Sequence, residues 1–206
     1  MSTTQTTLGV IRDRGRGSVF TSRDFATLAS RDSVDQALSR LARAGTLQRV
    51  ARGVYYYPRV NQALGFTASP DPDHVAAALA RQVGARIAPS GAAAANRLGL
   101  SMHVPAKTFY LTDAQTRRVA VDGQLYVLKH TTPRNLPNVS PVGAEVFQAL
   151  RYLGRNSVDR STITRLRDRL SPKQKRLLVR DSKRVAVGWI RETMLQVADE
   201  TQEEDQ

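Results

Sequence analysis

The first sixty residues change periodicity in an order that few folds accept. Thr3 to Arg14 reads as a short helix with Leu8 and Ile11 on its apolar face, ended by Gly15 and Gly17. Thr21 is a good N-cap with Asp24 at the third position, so Ser22 to Ala29 is expected as a second short helix burying Phe25 and Leu28. Ser30 to Asp32 reads as a turn. Ser33 and Gln36 form an S-x-x-Q capping box for a third helix, in which Val34, Ala37, Leu38 and Leu41 share one face. Gly45 stops it. Two β-prone runs come next, Leu47 to Val50 and Val54 to Tyr57, joined by Ala51-Arg52-Gly53 as a tight hairpin. Helix, helix, turn, helix and hairpin is the order of a winged helix-turn-helix, expected over residues 1–60.

Beyond it the pattern loosens. Residues 61–72 read as a linker ending in Ser69-Pro70-Asp71-Pro72. Asp73 is expected to cap a helix from His74 to Val83, and Ser90 another running through Leu98. Arg86 to Ala88 and Lys107 to Thr112 read as strands. Arg117 to Val121 and Gln124 to His130 read as a hairpin around Asp122-Gly123. From Pro141 the spacing is helical: Val142 to Leu153, Thr162 to Leu170, Pro172 to Ser182 and Val187 to Ala198. The expected class is α+β: a winged helix-turn-helix, then residues 73–198 as a small α/β unit with a helical C-terminal part. Residues 199–206 read as an acidic, disordered tail.

Charge bears on the partner. Thirty-one Lys and Arg face 18 Asp and Glu, a formal net charge of +13. Such a field attracts polyanions. Arginine dominates lysine, and guanidinium forks match phosphate oxygens and guanine edges; a genome rich in G and C would bias the composition the same way. Cysteine is absent, which excludes disulfides and thiolate metal sites. No apolar run approaches the roughly 20 residues that cross a bilayer, and the first residues lack the basic and apolar regions of a signal peptide. A cytoplasmic protein without membrane contact is expected.

The third helix turns Asp35, Gln36, Ser39, Arg40 and Arg43 outward, where donors and acceptors meet base edges in a major groove. The expected DNA contacts are Ser33, Gln36, Ser39, Arg40 and Arg43 on that helix, Arg49 and Arg52 on the hairpin, and Arg14 and Arg16 at the glycine-hinged start, which adds basic surface near the same face. Tyr55 to Tyr57 are read as packing rather than base stacking. A second basic block runs through Arg165, Arg167, Arg169, Lys173, Lys175, Arg176, Arg180, Lys183 and Arg184. Residues 151–191 hold 13 basic and three acidic residues. Three readings stay open for it: a further DNA surface with Lys173, Arg176 and Arg180 as contacts, a surface for an acidic or RNA-containing partner, or solvated helix faces.

Catalytic signatures are lacking. His74, His103 and His130 form no H-E-x-x-H or comparable cluster, and no P-loop, Rossmann or G-x-S-x-G pattern occurs. Asp71-Pro72-Asp73 is a lone D-x-D whose proline-rich setting suits a turn and helix cap better than a metal. Neither an enzyme nor a cofactor is expected.

The stretches Val19 to Phe25, Val34 to Leu41 and Gly45 to Pro58 resemble the N-terminal domain of AbiEi-type antitoxins, transcriptional regulators of type IV toxin–antitoxin systems. The phrase L-S-R-L-x-x-x-G-x-L-x-R-V-x-R-G-x-Y-x-Y-P, from Leu38 to Pro58, carries most of the likeness. Ala88 to Gly91, Asn96 to Leu100 and the Asp122-Gly123 hairpin are similar to the middle portion of those antitoxins; the C-terminal third shows no matching motif. The resemblance implies a repressor that binds repeated operator sites in its own promoter and neutralises a nucleotidyltransferase toxin, typically without a stable complex. The alternative is a protein-interaction module that neutralises such a toxin or another partner, with DNA binding secondary. A nucleotide-transferring enzyme is a third reading. Monomer or weak dimer is left open.

Overall fold

The computed structural model describes residues 2–61, 65–102, 109–121 and 123–199. In chain order the elements are helix α1 (Thr3–Arg14), strand β1 (Val19–Phe20), a 3-10 turn (Ser22–Phe25), α2 (Arg31–Arg43), β2 (Gln48–Ala51), β3 (Val54–Tyr56), β4 (Arg59–Asn61), β5 (Phe66–Ala68), α3 (Pro72–Gln82), β6 (Ile87–Pro89), α4 (Gly91–Arg97), β7 (Phe109–Thr112), β8 (Arg117–Val121), β9 (Gln124–His130), α5 (Pro141–Leu153), α6 (Arg160–Arg169), α7 (Pro172–Ser182) and α8 (Gly188–Ala198). The protein is of mixed α+β class. Its contacts divide it into two compact units, residues 1–85 with 117–126, and residues 86–116 with 127–206.

In the first unit Ser2 and Gln5 form a reciprocal capping box that starts α1, and Gly15 at φ 81° ends it. Three antiparallel strands lie in the order β1-β3-β2, with Val19 opposite Tyr56 and Arg49 opposite Tyr55. Ile11, Phe20, Phe25, Val34, Leu38, Leu41, Leu47, Tyr55 and Tyr57 pack beneath them as one core. The tyrosines are buried, as packing residues should be.

Four local expectations are corrected here. The segment after Thr21 is a short 3-10 turn over Ser22–Phe25 rather than a helix through Ala29, and α2 begins at Arg31, earlier than expected. Ser30, in extended conformation, caps α2 by accepting from the Ser33 amide at 3.4 Å, so Ser33 lies inside the helix and the Ser33–Gln36 box does not form. Asp71, not Asp73, caps α3, accepting from the Asp73 and His74 amides. Pro72 then occupies the first helical position, where a missing N–H costs nothing. Residues 61–72, expected as a linker, contain β5, which pairs antiparallel with β4 through Val60–Thr67 and Asn61–Phe66.

In the second unit β6 is antiparallel to β7, and β7 runs parallel to the Val127–His130 part of β9. Ser90 caps α4 as expected. Alanine-rich α4 lies close on α5: a Cβ at Gly91 would stand 2.6 Å from the Tyr152 Cβ and 2.9 Å from the Gln148 carbonyl. Leu98, Val146, Phe147, Leu150, Leu166, Leu178, Ile190 and Met194 belong to the core shared by α4 to α8. Asp122, His103, Lys107 and most of the acidic tail lie outside the described residues. No described helix is long and apolar enough to cross a membrane.

Candidate nucleic-acid interface

Helix α2 presents two opposed faces. Val34, Ala37, Leu38 and Leu41 are buried, which turns Ser33, Gln36, Arg40 and Arg43 into one outward stripe at helical spacing. Gln36, Arg40 and Arg43 are exposed, Ser33 and Ser39 half-buried. Among the described residues Gln36, Arg40 and Arg43 have no side-chain hydrogen bond or ion pair. Ser33 is less free, since the Ser30 hydroxyl donates to its Oγ at 2.9 Å. Asp32 sits in the first turn, Arg40 and Arg43 in the last, the arrangement the helix dipole favours. Asp35 is paired along the helix with Arg31 at 3.8 Å.

The chain then passes directly into the β2–β3 hairpin. Its register slips by one residue between Arg49 and Ala51, and Gly53 at φ 71° closes the turn. Only glycine takes that backbone conformation without strain. Arg49 and Arg52 are exposed, and among the described residues their side chains also lack partners.

Arg14 and Arg16 are otherwise engaged. The Arg14 guanidinium lies 3.5 Å from the Asp24 carboxylate and over the Phe20 ring. Arg16 donates to the Pro58 carbonyl at 2.8 Å and lies over the Tyr57 ring at 4.8 Å. Both therefore pin the connection between α1 and β1 to its surroundings. They add positive potential, but their guanidinium groups are committed to the fold.

Asp24 is the polar centre of this unit. Its Oδ2 accepts from the Thr21 amide and hydroxyl, and Arg81 of α3 donates to both of its oxygens and to the Val19 carbonyl. A cleft of about 300 Å³ opens here, lined by Arg14, Asp24, His74 and Arg81 among others. The Asp71 carboxylate is spent on the α3 cap. Among the described residues no group of three His, Asp or Glu side chains could hold a metal ion.

In the second unit the basic block is sorted by burial. Lys173, Arg176 and Arg180 are exposed along one stripe of α7. Arg180 is anchored by the buried Asp181, which it contacts at 3.2 Å and 3.3 Å, and Asp181 also accepts from the Ser140 amide and hydroxyl. Lys173 and Arg176 have no partner among the described residues. Arg167 is a correction to the basic surface: it is buried and donates to the Gln196 carbonyl at 2.8 Å, tying α6 to the end of α8. Arg184 reaches the Asn138 carbonyl.

Two carboxylates of this unit titrate low. Hydrogen bonds from the Thr162 amide and hydroxyl and the Ser161 hydroxyl bring the α6 cap Asp159 from its ordinary 3.8 down to about 2. Burial pushes Asp113 up, but hydrogen bonds and charge from Arg86 outweigh it and hold the carboxyl below its usual value. His130 Nδ1 lies 3.0 Å from the Ala114 carbonyl, a structural contact.

Three residues that no local pattern marks matter to the first unit: Arg81 and Gln82 of α3 and Arg117 of β8.

The chain belongs to the DUF6088 family, a family of unknown function whose model matches residues 7–178. No curated protein and no solved structure matches it.

Proposed function

We propose that this DUF6088-family chain is a sequence-specific repressor that binds double-stranded DNA. Its reading element would be a winged helix-turn-helix, with α2 in the major groove and the β2–β3 hairpin as the wing. One observation carries this reading. Gln36, Arg40 and Arg43 form an exposed stripe on a helix that leads straight into a hairpin bearing exposed Arg49 and Arg52, and among the described residues no hydrogen bond or ion pair occupies these five side chains. Donors on one helix face suit base edges, and cations on a protruding turn suit phosphates. On this reading the protein acts by binding, without a cofactor.

The resemblance of Leu38 to Pro58 to AbiEi-type antitoxins supports a narrower form of the proposal. The chain would repress its own promoter through repeated operator sites and counteract a nucleotidyltransferase toxin. A second reading, a protein-interaction module in the C-terminal unit, is favoured by one feature. Val179 is 43% exposed within the Lys173–Arg180 stretch of α7, and an apolar side chain among cations suits a protein surface.

The test is a mobility-shift titration with the DNA upstream of the protein's own gene and a scrambled duplex of equal composition, at several salt concentrations. The promoter should bind at least about 10³-fold more tightly than the scrambled duplex. Equal affinities would remove the repressor reading. Co-expression with a neighbouring nucleotidyltransferase, if the genome carries one, tests the antitoxin part through growth rescue.

A further inference from the structure

The hairpin turn is held from outside the first sixty residues. Gln82, the last residue of α3, donates its side-chain amide to the Arg52 carbonyl at 2.7 Å. The fit is close: a Cβ on Gly53 would stand 2.6 Å from the Gln82 Nε2. Gln82 is itself fixed, since Arg117 of β8 donates to its Oε1 and to the Leu79 carbonyl, each at 3.4 Å. A guanidinium on the carbonyls at a helix C-terminus also suits the helix dipole. Strand β8 lies alongside β2 within the same unit. Side chains alternate along a strand, so with half-buried Arg117 turned toward α3, exposed Arg118 faces the opposite way, into solvent. Among the described residues Arg118 has no partner.

We infer that β8 is the outer edge of the DNA-contacting surface, with Arg118 a phosphate contact additional to Arg52, and Gln82 the residue that positions the Arg52 turn. This rests on the DNA-binding reading above. A hairpin tip whose carbonyl is tethered presents its arginine with less freedom to lose on binding. Each further neutralised phosphate also steepens the salt dependence. Gln82 touches no nucleic acid itself; it acts through Arg52.

The experiment uses the full chain and the promoter duplex. Arg118→Gln, at an exposed position, should keep the melting temperature and the preference for promoter over scrambled DNA. It should lower the magnitude of the logarithmic salt slope by about 0.9. Gln82→Ala should weaken binding in the otherwise unaltered protein and have no further effect in an Arg52→Gln background. A residue needed only for stability would instead weaken both backgrounds equally. An unchanged salt slope for Arg118→Gln, or additive losses for Gln82 and Arg52, overturns this inference while a loss on Arg40→Ala leaves the DNA-binding reading standing. Failure of the unaltered chain to prefer the promoter overturns both.

Discussion

Arg81 Nε donates to Asp24 Oδ1 at 3.0 Å, across 57 residues of sequence. The same guanidinium reaches the Val19 carbonyl, so one side chain of α3 fixes both β1 and the 3-10 turn that leads to α2. The Asp24 side chain is only 8% exposed, so its partners are not readily replaced by water. Arg81→Met should therefore cost about 1–3 kcal/mol of stability, the penalty for leaving a buried acceptor short of donors. Urea denaturation of the full chain measures it, and an unchanged midpoint would show that Arg14 and Thr21 suffice. A fragment ending at residue 60 lacks this contact and the Gln82 tether together, and should unfold at lower urea than one containing residues 1–126.

The α2 stripe gives the sharpest prediction for recognition. Arg40→Ala or Arg43→Ala should weaken promoter binding by about 1–3 kcal/mol if that arginine meets a base with both arms. The loss should be confined to the promoter and absent with scrambled DNA. Arg52→Ala should weaken both duplexes alike and reduce the salt slope by about one unit. Unchanged affinity in all three variants would remove the helix-and-hairpin contact arrangement. Arg16→Ala should act differently, through the connection to Pro58, and show itself in thermal stability.

How far these features can be read from sequence depends on the range of the cause. The limits of α1, α7, β8 and β9 are set by neighbouring residues: Gly15 ends α1, Ser171 and Gln174 box the start of α7, and the Asp122-Gly123 turn signal in the sequence separates the two β-prone runs. The outward stripe on α2 comes from helical period alone. Asp71 wins over Asp73 because Pro72 can occupy the first helical position, a local rule that the proline-rich setting hides behind a turn signal. Arg14, Arg16 and Arg167 look like free cations in sequence because their partners Asp24, Pro58 and Gln196 are brought near only by tertiary packing. Gln82 is invisible for the same reason. Its role exists only once α3 ends beside the hairpin turn.

The Asp159 cap predicts a pH dependence with a definite sign. Its folded value, about 2, lies below the ordinary 3.8. A depressed carboxylate contributes stability that is fully present above the ordinary value and is lost as pH falls toward the folded one. The window is therefore from about pH 4 down to about pH 2. Asp159→Asn keeps a good helix cap but cannot titrate there. The difference in melting temperature between the native chain and Asp159→Asn should be constant above about pH 5 and shrink through that window. A difference independent of pH would mean that the hydrogen bonds from Thr162 and Ser161 do not depend on the charge.

The α7 stripe decides what the second unit contacts. Lys173 and Arg176 are exposed and unengaged among the described residues, whereas Arg180 is held by the buried Asp181. If the stripe lies along phosphates, each of the two free cations displaces counterions, and Lys173→Gln with Arg176→Gln should flatten the salt slope by about two units. Promoter preference should survive, because phosphate contacts carry no base information. Arg180→Gln is better measured alone: it strips a partner from a buried carboxylate, so part of its effect should appear as lost stability. The acidic segment 199–206, with five carboxylates, offers a competing polyanion in the same chain. Its deletion should tighten binding to scrambled DNA at low salt and matter little at high salt, where screening weakens the competition. If the double variant leaves the slope unchanged yet abolishes rescue from a co-expressed nucleotidyltransferase, the stripe serves a protein partner, and exposed Val179 becomes the next position to alter.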